Sequence, residues 1–325
     1  MSPSLLEDYM RCGFRFLAEH CLDLEKESWT QQLDGPELGA LLHRVLHRFM
    51  KDLEPPGRLD AGNWDRLAAA RLQGLLEAEL GSWPLRETRQ QSLTWTVQEE
   101  FLRAGLKRGD AMRGVFSDFL LHQSRWLRHH QVEALEKNLD ALSLGNVTVD
   151  SGPAEILLTG TVDRVDRSSR GLVVIDYKSG RIPLGRLYRG WGFQLPLYYL
   201  LVRNHYQEEV ETAFFFHIEP PFEARPRTVG LPDSDNSGWT VLAEFYRDLA
   251  LQATQAILSG KFPFTLVGSS QAGCRECNFR DVCRMDPAEA ARLRDSGHLP
   301  IARPVLTGGQ WVGPRETPQQ EVGSA

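Results

Sequence analysis

The stretch that most constrains the fold is Leu172-Val173-Val174-Ile175-Asp176-Tyr177-Lys178. Its first four residues are a continuous apolar run, β-branched at three of four positions, which predicts a buried strand. Alternate side chains of a strand share a face, so Asp176 and Lys178 leave it on the same side. Upstream, Leu157 to Val165 reads as a second strand, with Arg167-Ser168-Ser169-Arg170-Gly171 as the hairpin turn. That pairing brings Asp163 beside Asp176. Two carboxylates and an amine then converge at one end of a mostly apolar sheet, which is costly unless something compensates the charge. A divalent metal ion is the natural compensator.

Beyond Lys178, Ser179-Gly180 opens a loop through Arg181, Arg186 and Arg189 to Trp191. A basic loop carrying Tyr188 and Trp191 beside such a site suits single-stranded nucleic acid, with Arg186 and Arg189 on phosphates and rings on bases. The next segment predicts a helix with Gln194 and Tyr198 one turn apart on one face. Leu195, Leu197 and Leu200 pack its other side on the sheet. Thr212 to Ile218 reads as a further core strand, Gly230 to Gly238 as a polar loop, and Thr240 to Ser259 as an amphipathic helix closed by Gly260.

Before the strands the pattern is helical. Ser4 to His20 predicts a helix with Ser4 and Glu7 as a capping box, and Cys12 sits on it. After an Asp34-Gly35-Pro36 turn, Glu37 to Leu53 predicts a helix whose buried face holds Leu38, Leu41, Leu42, Val45, Leu46 and Phe49. His43 and His47 share another face. They are not a zincin pair, because Arg44 stands where H-E-x-x-H requires Glu. From Asn63 to His130 three or more helices follow, with breaks near Gly81–Pro84 and Gln90–Thr94. Lys107, Arg108, Arg113, Arg125 and Arg128 read there as a solvated face, a minority of them lining a DNA groove. Gln131 to Leu142 then brings Glu133 and Glu136, which read by themselves as helix-surface glutamates.

The formal net charge of the 325 residues is -6, which excludes a general polyanion binder and leaves any nucleic-acid contact to a local basic patch. No apolar run approaches the length of a membrane span, and MSPSLLEDYMRCGF lacks the basic start and apolar core of a signal peptide. The expected compartment is the cytoplasm, where five cysteines point to metal binding or free thiols rather than disulfides. Cys274, Cys277 and Cys283 are close enough in sequence to converge on one soft metal ion. A closed site needs a fourth ligand, for which Cys12 is the candidate; spacing alone leaves zinc and iron–sulfur open. No G-x-x-x-x-G-K-[ST] motif is present, so no ATP-driven motor is expected in this chain. From Gly308 the composition predicts a disordered tail.

Asp163, then Asp176-x-Lys178, then Gln194-x-x-x-Tyr198 in that order resembles the PD-(D/E)xK nuclease superfamily, in the branch of the RecB and AddB nuclease domains. SPSLLEDYMRCGFRF is similar to the S-x-S-x-L-x-x-Y-x-x-C-P-F opening of AddB-type domains, with Gly13 where the family has Pro, and Gly39-Ala40-Leu41-Leu42-His43 is similar to its Gly-x-x-x-His context. The resemblance implies an α/β, restriction-endonuclease-like core, a mixed central sheet flanked by helices, with a large helical insertion. The expected organisation is N-terminal helices with a cluster cysteine and the metal-site histidine (1–53), the insertion (54–130), the nuclease core (131–265), the cysteine cluster (266–300) and the tail (308–325). It implies that His43, Asp163, Asp176 and the backbone carbonyl of Tyr177 bind Mg2+, with Mn2+ as a substitute. Lys178 would orient or activate the attacking water or stabilise the phosphorane, Gln194 would orient the scissile region, and Tyr198 would lie close by. Glu133 fits the family's Glu ahead of the first catalytic strand slightly better than Glu136.

The same resemblance implies a 4Fe–4S cluster on Cys12, Cys274, Cys277 and Cys283, with structural zinc on those ligands as the alternative and Cys21 as the spare. The implied function is a Mg2+-dependent DNA nuclease, an exonuclease of double-strand-break repair and recombination that acts on single strands or DNA ends. A separate UvrD-like helicase would be its partner. The alternatives are a non-catalytic DNA-binding module, a zinc-stapled helicase-docking protein and a CRISPR-associated exonuclease; the helical insert between His43 and Glu133 favours the RecB/AddB branch.

Overall fold

A computed structural model describes residues 1–24, 33, 35–53, 64–83, 92–104, 115–149, 152–179, 187, 190, 192–219, 223–228, 237–263, 277, 279–284, 305–307 and 310–312. At its centre is a five-stranded mixed sheet in the order β1 (Gln131–Asn138), β4 (Thr161–Arg167), β5 (Leu172–Ser179), β6 (Val210–Glu219), β7 (Glu223–Thr228). Neighbours are antiparallel except β5 and β6, which are parallel. A parallel pair needs a crossover, supplied here by helix α7 (Gln194–Tyr206).

Strand β5 forms where the apolar run predicts it, and parity assigns its side chains to two cores. Leu172 and Val174 join the core built by helices α1 (Pro3–Arg11), α7 and α8 (Ser237–Leu258), while Val173, Ile175 and Tyr177 join one built by α3 (Gly35–Asp52), α4 (Trp64–Ser82), α5 (Leu93–Ala104) and α6 (Val115–Trp126). Leu172 to Ile175 are at most 2% exposed. Burying four such side chains contributes about 1.5–3 kcal/mol each. That rigidity lets the end of the strand carry charge at a cost.

The two glutamates ahead of the catalytic strands lie on a strand, not on a helix. β1 is an edge strand, and charged side chains on an edge discourage pairing with another chain, which is why the segment reads as polar and helical. Leu157 to Val165 is not one strand either. The chain turns away at Thr159-Gly160, because β3 (Gly152–Leu158) pairs with β2 (Leu142–Val149) in a hairpin, while β4 pairs with β1 and β5. The β4–β5 turn is closed by Ser168 N donating to Gly171 O at 2.9 Å. Helix α7 is buried at every position from Leu195 to Val202 rather than on one side, because α1 and α8 cover the face turned from the sheet.

At the N-terminus Ser2, not Ser4, caps α1, accepting from Leu5 N with Pro3 as the first helical residue. The helix breaks at Cys12 and resumes as α2 (Gly13–Phe16) and a π-type turn (Leu17–Cys21). From Gly308 onward, where the composition reads as a tail, Gln310–Val312 (β9) pairs with Val305–Thr307 (β8); the other positions of that segment, and most of Gly230–Gly238, lie outside the described residues. The short helix α9 (Arg280–Cys283) completes the described elements.

Candidate active site

The site is built at the end of β4 and β5. The last pair of that ladder is Arg164 with Ile175, so one step further along the register puts Asp163 beside Asp176. Tyr177 N donates to Asp163 Oδ2 at 2.7 Å, and Nε2 of His43 donates to the same oxygen at 2.8 Å. Lys178 Nζ lies 2.7 Å from Asp176 Oδ2. His43 reaches the sheet because α3 approaches the end of β5 at Gly39: a Cβ there would lie 2.7 Å from Ser179 Oγ. One turn on, the imidazole meets the Tyr177 ring edge-to-face at 5.8 Å and Asp163 beyond it. The Gly-x-x-x-His spacing is thus a close-approach residue followed by the side chain that the approach delivers.

The electrostatics are unbalanced. Asp176 is 2% exposed, and burial pushes its carboxyl up to about 6; the charge of Lys178 pulls down and that of Asp163 pushes up. Lys178 is the one charged partner of the buried Asp176 Oδ2 among the described residues, at 2.7 Å. Burial alone would lower the pKa of Lys178, but Asp176, Asp163 and Glu7 raise it above the ordinary lysine value. His43 follows the same logic: burial lowers its pKa, while the bond to Asp163 and the charges of Asp163, Asp176 and Glu136 more than offset that. Tyr198, 8% exposed on α7, is held as a phenol by burial and by Asp176, Asp163 and Glu7.

Three further side chains border the site: Glu136 and His47, which the sequence ranks behind Glu133 and His43, and Glu7, which no local pattern marks. Glu136, not Glu133, faces Asp163, for the register passes from Leu135–Arg164 to Lys137–Val162 on either side of it. A bulge at Glu133 shifts that register, and Glu133 turns instead to Arg167 at 2.9 Å. Glu136 Oε1 lies 3.7 Å from His43 Nδ1 and 3.6 Å from His47 Nδ1, so His47 also borders the site. Glu136 holds a backbone φ of 42°, a strained value for a non-glycine residue. Glu7 on α1 accepts from Gln194 N at 3.0 Å, which places a carboxylate at the start of α7. Gln194 and Tyr198 therefore stand on a helix anchored to the N-terminal segment.

The proposed DNA contacts Arg186, Arg189 and Trp191 lie outside the described residues, as does Cys274. Cys12, Cys277 and Cys283 are half-buried, and Cys21 is exposed. The segment bearing Cys12 docks on the end of the nuclease core: Tyr9 donates to Lys261 O at 2.7 Å, and Phe16 stacks on Phe262 at 6.3 Å. A Cβ on Gly13 would fall 2.7 Å from Pro263 O, which gives this chain's departure from Pro at that position a physical cause. Cys277 lies close enough to Arg15 to help raise its pKa, so the segment that follows the core returns to the N-terminal helices here.

Among the described residues no three His, Cys, Asp or Glu side chains already enclose a metal ion, since Asp163 turns to His43 and Asp176 to Lys178. The donor set nonetheless fits a hard cation: two carboxylates, one of them buried, and an imidazole.

Residues 1–284 match the family model described as the PD-(D/E)XK nuclease superfamily. Among curated proteins, the chain is 30% identical over 210 residues to an ATP-dependent helicase/deoxyribonuclease subunit (the B-type one) of Symbiobacterium thermophilum, covering 62% of this chain and 17% of that protein. The protein of the same name from Oceanobacillus iheyensis is 25% identical over 240 residues, 68% of this chain and 19% of that protein. The chain thus spans less than a fifth of the length of these relatives. No described helix is long and apolar enough to cross a membrane.

Proposed function

The chain belongs to the PD-(D/E)XK nuclease superfamily, and on that footing we propose that it hydrolyses DNA phosphodiester bonds at the Asp163–Asp176 end of the sheet. The observation that carries this reading is the convergence of two carboxylates, Asp176 being 2% exposed, on one histidine and one lysine at the end of the sheet. His43, Asp163, Asp176 and the backbone carbonyl of Tyr177 are the groups that would hold Mg2+ or Mn2+. When bound, such an ion supplies positive charge to the scissile phosphate and acidifies a water molecule.

The protein's own groups define the other roles. Lys178, whose pKa is raised by Asp176, Asp163 and Glu7, would orient the attacking water and stabilise developing phosphate charge. Tyr198 likewise offers a proton-bearing phenol, and Gln194 begins the helix that presents it. Glu136 takes the place assigned to Glu133, holding His43 and His47 in orientation. Cys12, Cys274, Cys277 and Cys283 would carry a 4Fe–4S cluster, a donor set of thiolates that would tie the two ends of the chain around the core. The named relatives are helicase/deoxyribonuclease subunits, which supports a role in DNA-end processing beside a helicase.

The test is cleavage of end-labelled single-stranded DNA with Mg2+ or Mn2+ by wild type and Lys178→Ala, both purified without oxygen. We expect metal-dependent cleavage that drops about 10²–10³-fold in the variant. Cleavage unaffected by the substitution, or a wild type that binds DNA and never cuts it, would overturn the reading.

A further inference from the structure

The nuclease reading leaves unexplained how a chain of net charge -6 guides a polyanion to its site. We infer that the exposed side of α3 is the track that leads single-stranded DNA to the Asp163–Asp176 centre, with Arg44, Arg48 and Lys51 on phosphates and Trp83, the platform beneath Arg44, at the end of the stripe. This inference rests on the nuclease reading for what happens at the end of the track.

The three cations recur at helical spacing along one stripe, and at 1.5 Å rise per residue Arg44 and Arg48 are separated by about 6 Å along the axis. Each arginine follows one of the site's histidines: Arg44 adjoins His43, and Arg48 adjoins His47, so the stripe lies about 100° around the helix from the groups that meet Asp163 and Glu136. Arg44 and Arg48 side chains are 56% and 55% exposed, and Lys51 is exposed. Elsewhere Arg103, Arg167, Arg170 and Arg247 each face a carboxylate of their own, in Glu99, Glu208, Glu211 and Glu244, and Asp52, the last residue of α3, is taken up by Arg71 from α4. On α3 the balance differs. Glu79, 2% exposed, serves both arginines, at 3.8 Å from Arg44 and 2.5 Å from Arg48, and no ion pair of Lys51 occurs among the described residues. Three cations against one anion leave a local surplus of positive charge.

Glu79 also fixes the guanidinium groups in place while leaving donors free, since a guanidinium has five N–H groups. Arg44 lies 4.6 Å from the centroid of the Trp83 ring, so a cation and an indole form one surface at the end of the stripe. A positive stripe with an aromatic ring at its end suits an unpaired strand, whose bases can stack, better than a duplex.

The test measures binding of a fluorescent oligothymidylate in the absence of divalent ions, across a range of KCl concentrations. Arg48 is left in place, because removing it would strand Glu79 as a buried unpaired charge. We expect the Arg44→Gln/Lys51→Gln protein to bind more weakly, with the slope of log K against log salt reduced by about 1.4, at roughly 0.7 per lost phosphate contact on a single strand. Lys51→Gln alone, at an exposed position that folding tolerates, should give about half that change. Trp83→Leu should weaken binding about tenfold without altering the slope. Arg170→Gln, paired with Glu211 away from the stripe, should alter neither. Slopes and affinities equal to wild type in the α3 variants would overturn the track. Cleavage by the same preparations separates the two ideas: equal binding with Lys178-dependent cutting sinks the track alone, whereas altered binding with no cutting by any preparation sinks the nuclease reading alone.

Discussion

Strand β4 carries two charged clusters one residue apart, and their charge balance is opposite. Arg164 and Asp166 are both fully buried against the helical layer. The guanidinium meets the carboxylate through two bonds of 2.6 Å, reaches Gln123 at 2.7 Å and the Tyr177 hydroxyl at 3.1 Å, and Trp126 Nε1 donates to Asp166 at 2.6 Å. Every strong charge in that cluster is answered within the protein. On the other face Asp163 pairs with His43 and Asp176 with Lys178, while Glu136 and Glu7 add two further carboxylates that act on the same two cations. Burial of charge therefore does not mark function by itself. A deficit of compensating charge does, because a bound cation can relieve it.

The balanced cluster is most vulnerable at Arg164. Arg164→Met leaves Asp166 buried and unpaired, and chemical denaturation should report a loss of about 3–5 kcal/mol. Adding Asp166→Leu should recover only part of it, since Trp126 Nε1, Gln123 and the Tyr177 hydroxyl also lose their partner. If the double variant unfolds no later than the single one, Arg164 and Asp166 are not a closed structural pair.

A smaller effect probes the same contrast through pH. His122 packs edge-on to Phe216 at 5.0 Å, and burial, with the charges of Arg164, Arg125 and His130, holds its pKa down at about 4. A lowered histidine pKa means that the unfolded chain takes up a proton first, so stability is whole above pH 6.5 and is lost as pH falls toward 4. His122→Phe should remove about 2 kcal/mol of that loss, read as a flatter dependence of the unfolding midpoint on pH over that interval. An unchanged slope would mean that His122 is protonated beside Arg164.

The smallest expected change is at Gly39. A methyl there would press on Ser179 Oγ and lift α3 from the strand end. Helix propensity gains up to about 1 kcal/mol from alanine and offsets the strain, so stability should hardly move. Cleavage should fall about tenfold, a change of about 1.4 kcal/mol in positioning, and Ser179→Gly should restore it.

Much of this arrangement is legible in the sequence. The apolar run of β5, its hairpin to β4 and the shared face of Asp176 and Lys178 follow from strand period alone, and the adjacency of Asp163 and Asp176 follows from the turn. What escapes notice is whatever depends on a local break in period. The bulge at Glu133 adds one residue to β1, and a one-residue slip exchanges the faces of every side chain beyond it, so Glu136 rather than Glu133 turns to the site. Glu7 and Gln194 meet across 187 positions of sequence, a contact that no local pattern encodes. Arg164 and Asp166 look like surface charges in D-R-V-D, and only the sheet's second covering layer buries them.

The most direct test of the charge deficit compares thermal unfolding of wild type and Asp176→Asn at pH 7.5, in chelator and in Mn2+. Burial raises the folded-state pKa of Asp176, so its contribution to stability is present at low pH and is lost as pH rises past about 6. In chelator the neutral variant should therefore unfold at a higher temperature than wild type, and Mn2+ should stabilise wild type and leave the variant unmoved. A wild type indifferent to Mn2+, or a metal-free variant less stable than wild type, would contradict the claim that this end of the sheet is short of positive charge.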